Sequence, residues 1–161
     1  PLPPQQRQAV QALLADRRGA FGQRHPRYRW TRILSGPTLR QALGAAADPL
    51  VSPLQLKVLE RGASGRVLAL QISGSSDAAP VILRLDAIRR TLRTLPSTLF
   101  VLEPQGADRW LVVGGGFGHG AGLSQAGAID LAWRGWPVER ILSHYYPGTV
   151  YGPLSTLVQS P

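Results

Sequence analysis

A run of six glycines within nine residues, 114–122, is the chemically most distinctive part of this sequence. Glycine at this density lets the backbone adopt positive φ angles and lets another group approach the main chain closely. A helix is predicted directly after the run, and exposed amides at a helix start favour an anionic or oxygen-rich ligand. The pattern therefore indicates either a ligand-facing loop or a loop with a purely structural role, and its alternating glycines are Gly116, Gly118, Gly120 and Gly122.

Polar and aromatic residues in and after this loop are the candidates for ligand contact. His119 stands among glycines, which favours an exposed or ligand-facing position, and the pattern leaves open whether it is a hydrogen-bonding strut or a catalyst. Ser124 is predicted to cap the next helix, with Gln125 in its first turn. Tyr145 and Tyr146 are adjacent on a later helix, so their rings should point in different directions. We therefore expect one ring to pack in the core and the other to offer a carbohydrate-stacking surface.

Two short matches to enzyme motifs in this region do not fit the context that those motifs require. Residues 116–121 match the G-x-G-x-x-A dinucleotide fingerprint, but only about 40 residues follow and they contain no returning parallel strand. Residues 122–126 resemble a nucleophile elbow with its last glycine replaced, without the sheet or the following Asp and His. The sequence therefore argues against a Rossmann fold and against a serine hydrolase.

The elements predicted around the loop indicate an α+β fold, with antiparallel β-hairpins, helices packed to one side, and the glycine-rich loop leading into two C-terminal helices. Before the loop, helices are predicted at 5–18, at 39–47 with a Thr38 cap, and at 86–93 with an Asp86 cap. Strands are predicted at 30–34, 53–60, 66–73, 81–85, 97–102, 109–113 and 149–151. The two C-terminal helices are predicted at 124–134 and from 137 to 143 or 144, and residues 22–29 form a polar linker.

Composition limits the class of protein. The 161 residues suit one domain, and a hydrophobic content of 43 % excludes a disordered tail. The chain has no cysteine, which excludes disulfides and cysteine-based zinc or iron–sulfur sites. Nothing arranges its three histidines and nine acidic residues for a metal, and no motif calls for a cofactor. No apolar run approaches the ~20 residues of a membrane helix.

The net charge of +9 would attract nucleic acid, anionic lipid or an anionic cell-wall polymer without distinguishing them. Every basic residue except Lys57 is arginine, and the densest groups lie at 17–18, 24–32 and 89–93. Arginines alternate with aromatic residues at 24–30, as in a single-strand binding surface. No zinc-finger, ribonucleoprotein or lysine-rich motif accompanies them, so nucleic acid is the least favoured partner.

Residues 116–151 resemble the closing signature of the stage II sporulation protein D (SpoIID/LytB) family. That signature reads approximately G-x-G-x-G-H-G-x-G-[ML]-S-Q-x-G-A, then a helix, then I-L-x-x-Y-Y-P-G and a final short strand. Its histidine, serine–glutamine pair and tyrosine pair correspond to His119, Ser124-Gln125 and Tyr145-Tyr146. Looser matches upstream extend the resemblance to about residues 30–151 and comprise Trp30, Ser64-Gly65-Arg66, Arg89 and the run 96–100.

The resemblance implies a lytic transglycosylase that acts on peptidoglycan glycan strands outside the cytoplasm, in the periplasm or cell wall, without a cofactor. Such enzymes leave a 1,6-anhydro-muramyl end. One carboxylic acid protonates the glycosidic oxygen and then, as a carboxylate, removes the C6 hydroxyl proton, whereas most glycosidases use two carboxylates. By position, His119, Ser124 and Gln125 would hydrogen-bond sugar hydroxyls or hold the catalytic loop. Tyr145 or Tyr146 would stack on a sugar.

The chain departs from the family at the catalytic residue. The family's glutamate precedes an alanine-rich helix and a serine–glycine motif, and none of the three is present here. Glu60, Glu103 and Glu139 are predicted in a hairpin, at a strand end and in a helix, where solvated residues are expected. We therefore expect no catalytic residue in this chain, with the acid supplied by an upstream segment or a partner chain. The alternative is a non-catalytic glycan-binding or scaffold module.

The predicted organisation has three parts. Residues 1–29 form an N-terminal helix and linker, residues 30–151 the C-terminal portion of a SpoIID-like domain, and residues 152–161 a tail. The start Pro-Leu-Pro-Pro, without Met or an apolar signal core, is typical of a processed or truncated piece.

Overall fold

The computed structural model of the chain describes residues 4–152 and divides them into two units. The first unit contains residues 4–17 and 26–120, and the second contains residues 18–25 and 121–152. Residues 1–3 and 153–161, which include nearly all of the predicted tail, lie outside the described residues. The boundaries predicted after residues 29 and 151 stay a prediction.

Two three-stranded antiparallel sheets form the framework of the first unit. One has the strand order β1-β6-β5 and the other β2-β3-β4. The strands are β1 (Arg29–Ser35), β2 (Gln55–Arg61), β3 (Val67–Ser73), β4 (Val81–Arg84), β5 (Phe100–Pro104) and β6 (Arg109–Gly115). Both predicted hairpins, β2–β3 and β5–β6, are present, and the predicted α+β class is confirmed.

The helices of the described chain are α1 (Pro4–Ala15), α2 (Gly36–Leu43), α3 (Asp86–Thr91), α4 (Gln125–Trp133) and α5 (Val138–Tyr145). The first three belong to the first unit and the last two to the second. Glycine or proline follows or precedes most of these helices, as the sequence predicts.

The main core of the first unit is an apolar cluster to which both sheets and two helices contribute. Leu34 of β1, Leu70 of β3 and Phe100 of β5 are at most 2 % exposed, and α2 and α3 add Leu39 and Ile88. A smaller cluster joins the inner face of α1 to β5. Burial of these side chains stabilises the sheets that carry the glycine-rich loop.

The N-terminus of α2 differs from the prediction. Ser35, and not Thr38, is the N-cap: its hydroxyl accepts the Thr38 amide, and Thr38 Oγ1 accepts the Ser35 amide at 2.8 Å. Pro37 fits the first turn because its φ is already helical. The helix therefore starts earlier than predicted, and the α-helical part ends at Leu43, before a 3₁₀ turn over Gly44–Ala47.

Two further expectations were wrong. Asp86 does not cap α3, because it lies inside the first turn and pairs with Arg89 at 3.0 Å instead; Leu85 occupies the N-cap position. Residues 149–151 form no strand in the described chain. The carbonyl of Tyr146 accepts both the amide and the hydroxyl of Thr149, and these bonds form a turn there.

Candidate functional site

The start of the glycine-rich loop is shaped by Trp30. Trp30 lies opposite Gly114 in the β1–β6 register, and its indole crosses β6 at that position. A Cβ at Gly114 would be 2.3 Å from Trp30 Cζ2, so only glycine allows this crossing. The indole Nε1 then donates to the Gly116 carbonyl at 2.8 Å.

The segment before β5 holds the other side of the loop. Ser97 is fully buried; its hydroxyl donates to the Gly115 carbonyl at 2.6 Å and accepts the Leu99 amide at 3.1 Å. The Gly118 amide donates to the Pro96 carbonyl at 2.9 Å. The loop backbone is therefore tied to its neighbours by hydrogen bonds from both directions.

A half-buried arginine, Arg66, lies against the far end of the loop within the first unit. The Arg66 guanidinium occupies the space where a side chain at Gly120 would be, with Cζ 2.1 Å from an ideal Cβ. Among the described residues, Arg66 Nη1 has no hydrogen-bond partner, and burial lowers the pKa of this group. His119, next to Gly120, is exposed as the sequence predicts.

The serine and the tyrosine pair of the motif meet at the start of α4, in the second unit. Ser124 caps the helix as predicted, with its hydroxyl accepting the Gly127 amide at 3.2 Å. The Tyr145 hydroxyl lies against Gly127, where a Cβ would be only 2.0 Å away, and it is hydrogen-bonded to Ser124. Burial, followed by the nearby charge of Asp130, raises the pKa of Tyr145, and the Ser124 bond opposes this rise.

Tyr146 reaches the same helix start from a different direction. Its hydroxyl accepts the Leu123 amide at 3.1 Å and lies 3.0 Å from an ideal Cβ at Gly122. The residue is 40 % exposed, whereas Tyr145 is half-buried, and Gln125 is exposed in the first turn of α4. The two rings thus differ in exposure, as their adjacent positions predict. Both hydroxyls nevertheless lie at the N-terminal end of α4.

Residues 18–25 were predicted mainly as helix end and linker, but they belong to the second unit. Phe21 makes edge contacts with Trp136 and His144, at centroid distances of 5.9 and 5.5 Å. The Gly22 amide donates to Asp130 Oδ2 at 3.1 Å. This segment, called the 18–25 segment below, therefore completes the packing around α4 and α5.

Asp130 anchors the 18–25 segment, and its ionisation is tied to folding. The Gly22 amide lowers the pKa of the Asp130 carboxyl most, desolvation opposes this shift, and Arg134 lowers the pKa further. Because the folded-state pKa lies below the unfolded one, the carboxylate stabilises the unit above its ordinary pKa. That contribution is lost as the pH falls through the lower, folded-state value.

We expect Asp130→Asn to flatten the acid limb of the stability profile. The amide oxygen can still accept from Gly22, but it carries no charge to be neutralised. Denaturant unfolding measured from neutral pH down to about pH 2 should show a smaller acid-induced loss for the variant than for the parent. Equal acid limbs in the two proteins would contradict this role for the carboxylate.

The three glutamates lie where the sequence places them. Glu60 is exposed on β2, 3.6 Å from Arg84; Glu103 is on β5, and Glu139 is exposed in the first turn of α5. Within residues 4–152, no three His, Asp or Glu side chains gather as a metal site would require. The helices of this part of the chain are also too short or too polar to cross a bilayer.

An arginine-lined cleft in the first unit was not predicted. It has a volume of about 390 Å³ and combines arginines from the groups at 24–32 and 89–93 with Phe117 of the glycine-rich loop. The sequence shows both arginine groups but gives no sign that they converge. The sequence likewise marks Arg66 only as part of a hairpin and of a loose family match, and neither signal indicates that its side chain packs against Gly120.

Two comparisons with known proteins are informative. Over 129 residues the chain is 31 % identical to stage II sporulation protein D of Bacillus subtilis (strain 168), in an alignment covering 80 % of this chain and 35 % of that protein. The chain thus spans about a third of the length of this curated relative. A family model described as "Domain of unknown function (DUF8618)" matches residues 1–122. Because that match covers most of the chain, the protein belongs to the DUF8618 family.

Proposed function

We propose that this chain is the glycan-binding portion of a SpoIID-like lytic transglycosylase and that it contacts peptidoglycan strands. Two related features support the proposal: the similarity to stage II sporulation protein D, and within the same sequence the match of residues 116–151 to the closing signature of the SpoIID family. The proposal locates the chain outside the cytoplasm, where peptidoglycan lies.

The observation that carries the proposal is the arrangement at the start of α4. Ser124 lies about 20 residues before the adjacent Tyr145 and Tyr146, yet the three hydroxyls converge on residues 123–127. The Leu123 amide fixes the Tyr146 hydroxyl, while the ring remains partly open to solvent. A ring that is held at its hydroxyl and exposed on its surface suits stacking on an apolar sugar face.

The glycine-rich loop supplies the second element of the proposal. Its backbone is fixed by Trp30 and Ser97, so its amides and carbonyls are positioned before any ligand arrives. Sugar hydroxyls can bond to such groups without an ordering cost. His119, exposed in the same loop, offers ring nitrogens to a sugar hydroxyl.

Cleavage needs a carboxylic acid that this chain does not supply at the family's position. Glu60, Glu103 and Glu139 lie on β2, β5 and α5, apart from any match to the family's acid. We therefore assign binding to these residues and the protonation step to a carboxyl group outside residues 1–161. In the alternative function, the chain is a non-catalytic scaffold module. It then binds the glycan, and no catalytic carboxyl group is supplied to the site.

Binding is tested by co-sedimentation of the chain with purified peptidoglycan and with glycan strands stripped of peptides. The parent should bind both. His119→Ala combined with Tyr146→Ala should weaken binding about tenfold, since a hydrogen bond and a stacking contact are both lost. Tyr146→Phe alone keeps the ring and should retain most of the affinity.

A matched control replaces the same residue types at exposed positions to which we assign no glycan contact, His25→Ala with Tyr151→Ala. It should bind like the parent. Failure of the parent to bind either polymer would refute the proposal, as would equal binding by both double variants. Mass spectrometry of the glycan after incubation separates the two versions of the function, because only a complete transglycosylase leaves 1,6-anhydro-muramyl ends.

A further inference from the structure

Five arginines from two distant parts of the sequence line one cleft of the first unit. Arg27 and Arg32 come from the entry to β1 and from β1 itself, and the others come from α3 and the turn after it. The described lining includes no acidic side chain. The arginines are Arg27, Arg32, Arg89, Arg90 and Arg93.

Asp86 forms ion pairs with two of these side chains. It holds Arg89 Nε at 3.0 Å and Arg90 Nε at 3.6 Å. Asp86 carries one negative charge against the two positive charges of Arg89 and Arg90, so a positive potential remains in the cleft. Such a site concentrates anions, and each planar guanidinium can pair with a carboxylate through two parallel hydrogen bonds.

The cleft borders the glycine-rich loop through Phe117. The Arg27 guanidinium lies 4.2 Å from the centre of the Phe117 ring, and that ring is 57 % exposed. Pro96, another lining residue, accepts the Gly118 amide and so links the cleft wall to the loop backbone. An anionic group bound in the cleft would therefore lie beside the loop that we assign to glycan binding.

We propose that the arginine cleft binds a carboxylate of the peptidoglycan strand and so recognises muramic acid units or their peptides. This inference rests on the proposed glycan-binding function, because a peptidoglycan ligand would bring carboxylate groups to the cleft. Peptidoglycan has two sources of carboxylate: the lactyl group of a muramic acid unit without a stem peptide, and the acidic stem peptide where one is attached, since attachment turns the lactyl carboxyl into an amide. Both present the same planar group to a guanidinium.

The first test compares small probes that differ in this one group. N-Acetylmuramic acid carries a lactyl carboxylate that N-acetylglucosamine lacks, and a free acidic stem peptide supplies the second source. Nuclear magnetic resonance titration of the full chain should show movement of the cleft arginine Nε–H signals with at least one carboxylate probe. N-Acetylglucosamine should leave those signals in place, and the carboxylate probe that moves them identifies the source.

The second test uses charge-matched variants and peptide-free glycan strands. Arg32→Gln with Arg93→Gln should weaken strand binding by about tenfold, since charge-assisted hydrogen bonds are lost. Arg84→Gln with Arg109→Gln removes the same charge away from the cleft and should bind like the parent. Arg32→Lys with Arg93→Lys keeps the charge but loses the planar fork, and should fall between the two.

Several results would overturn the inference. The first is that N-acetylglucosamine moves the arginine signals as far as the carboxylate probes do. The second is that inorganic phosphate moves these signals and neither carboxylate probe does. The third is that the cleft variants and the control variant bind glycan strands equally well. The last result would leave the proposed glycan binding intact. Conversely, the chain could bind no glycan strands while N-acetylmuramic acid still moves the arginine signals. That result would refute the proposed function and leave carboxylate binding by the cleft supported.

Discussion

Gly114→Ala is expected to lower the free energy of unfolding of the first unit by about 3 kcal/mol, combining overpacking with the loss of one hydrogen bond. The added Cβ would meet Trp30 Cζ2 at 2.3 Å in a buried site, so the indole must move. Moving it breaks the bond from Nε1 to the Gly116 carbonyl and releases the start of the loop. We therefore expect weaker glycan binding together with a midpoint of thermal unfolding lower by roughly 6–12 °C.

Gly62→Ala is the matched control for this variant. A Cβ at Gly62 would be 3.5 Å from the Leu68 side chain, an ordinary contact. The Gly114 effect should also shrink in a Trp30→Leu background, because the clashing ring is then absent. If circular dichroism gives the Gly114 and Gly62 variants the same melting midpoint, the close packing of the Trp30 indole against Gly114 is contradicted.

Gly22→Ala is expected to detach the 18–25 segment from α4. Gly22 has φ +79°, and a Cβ there would be 2.9 Å from backbone atoms of Ala126 and Gly127. Backbone of a helix cannot move aside as a flexible side chain can. Strain at positive φ and the clash together should cost the second unit about 3 kcal/mol. Hydrogen exchange of α4 and α5 amides should become faster as a result.

Gly19→Ala separates the two causes within the same segment. Gly19 has φ +75°, but no atom lies within 4 Å of its ideal Cβ. This variant should therefore show only the backbone strain, of about 1 kcal/mol. Equal exchange rates in the Gly19 and Gly22 variants would mean that the contact with α4 contributes nothing.

The sequence predicted best where the signal was local. The β2–β3 turn at 62–65 and the cap at Ser124 follow from residues within a few positions of each other, and both were confirmed. The cap of α2 failed because Ser35 and Thr38 both suit an N-cap, and Pro37 between them decides in favour of Ser35. Local patterns thus give the elements but leave boundaries uncertain by a few residues.

Features that depend on distant residues were not predictable. Arg32 and Arg93 lie about 60 residues apart, and only the folded chain brings them to one cleft. Trp30 and Gly114 show the same limit, since each looks ordinary until the register of β1 and β6 places them opposite each other. Asp130 gave no sequence signal because its partner is a backbone amide, which any residue type could have supplied.

The 18–25 segment gives the chain an interlaced topology, because residues 26–120 are an insertion within the second unit. A truncation that starts the chain at residue 26 would therefore remove part of both units, since α1 belongs to the first unit and the 18–25 segment to the second. It would remove Phe21 and Gly22 from α4 and α5 while leaving every residue of the closing motif in the sequence. Loss of function in such a truncated chain would therefore not by itself point to the glycine-rich loop, because the packing of both units is altered.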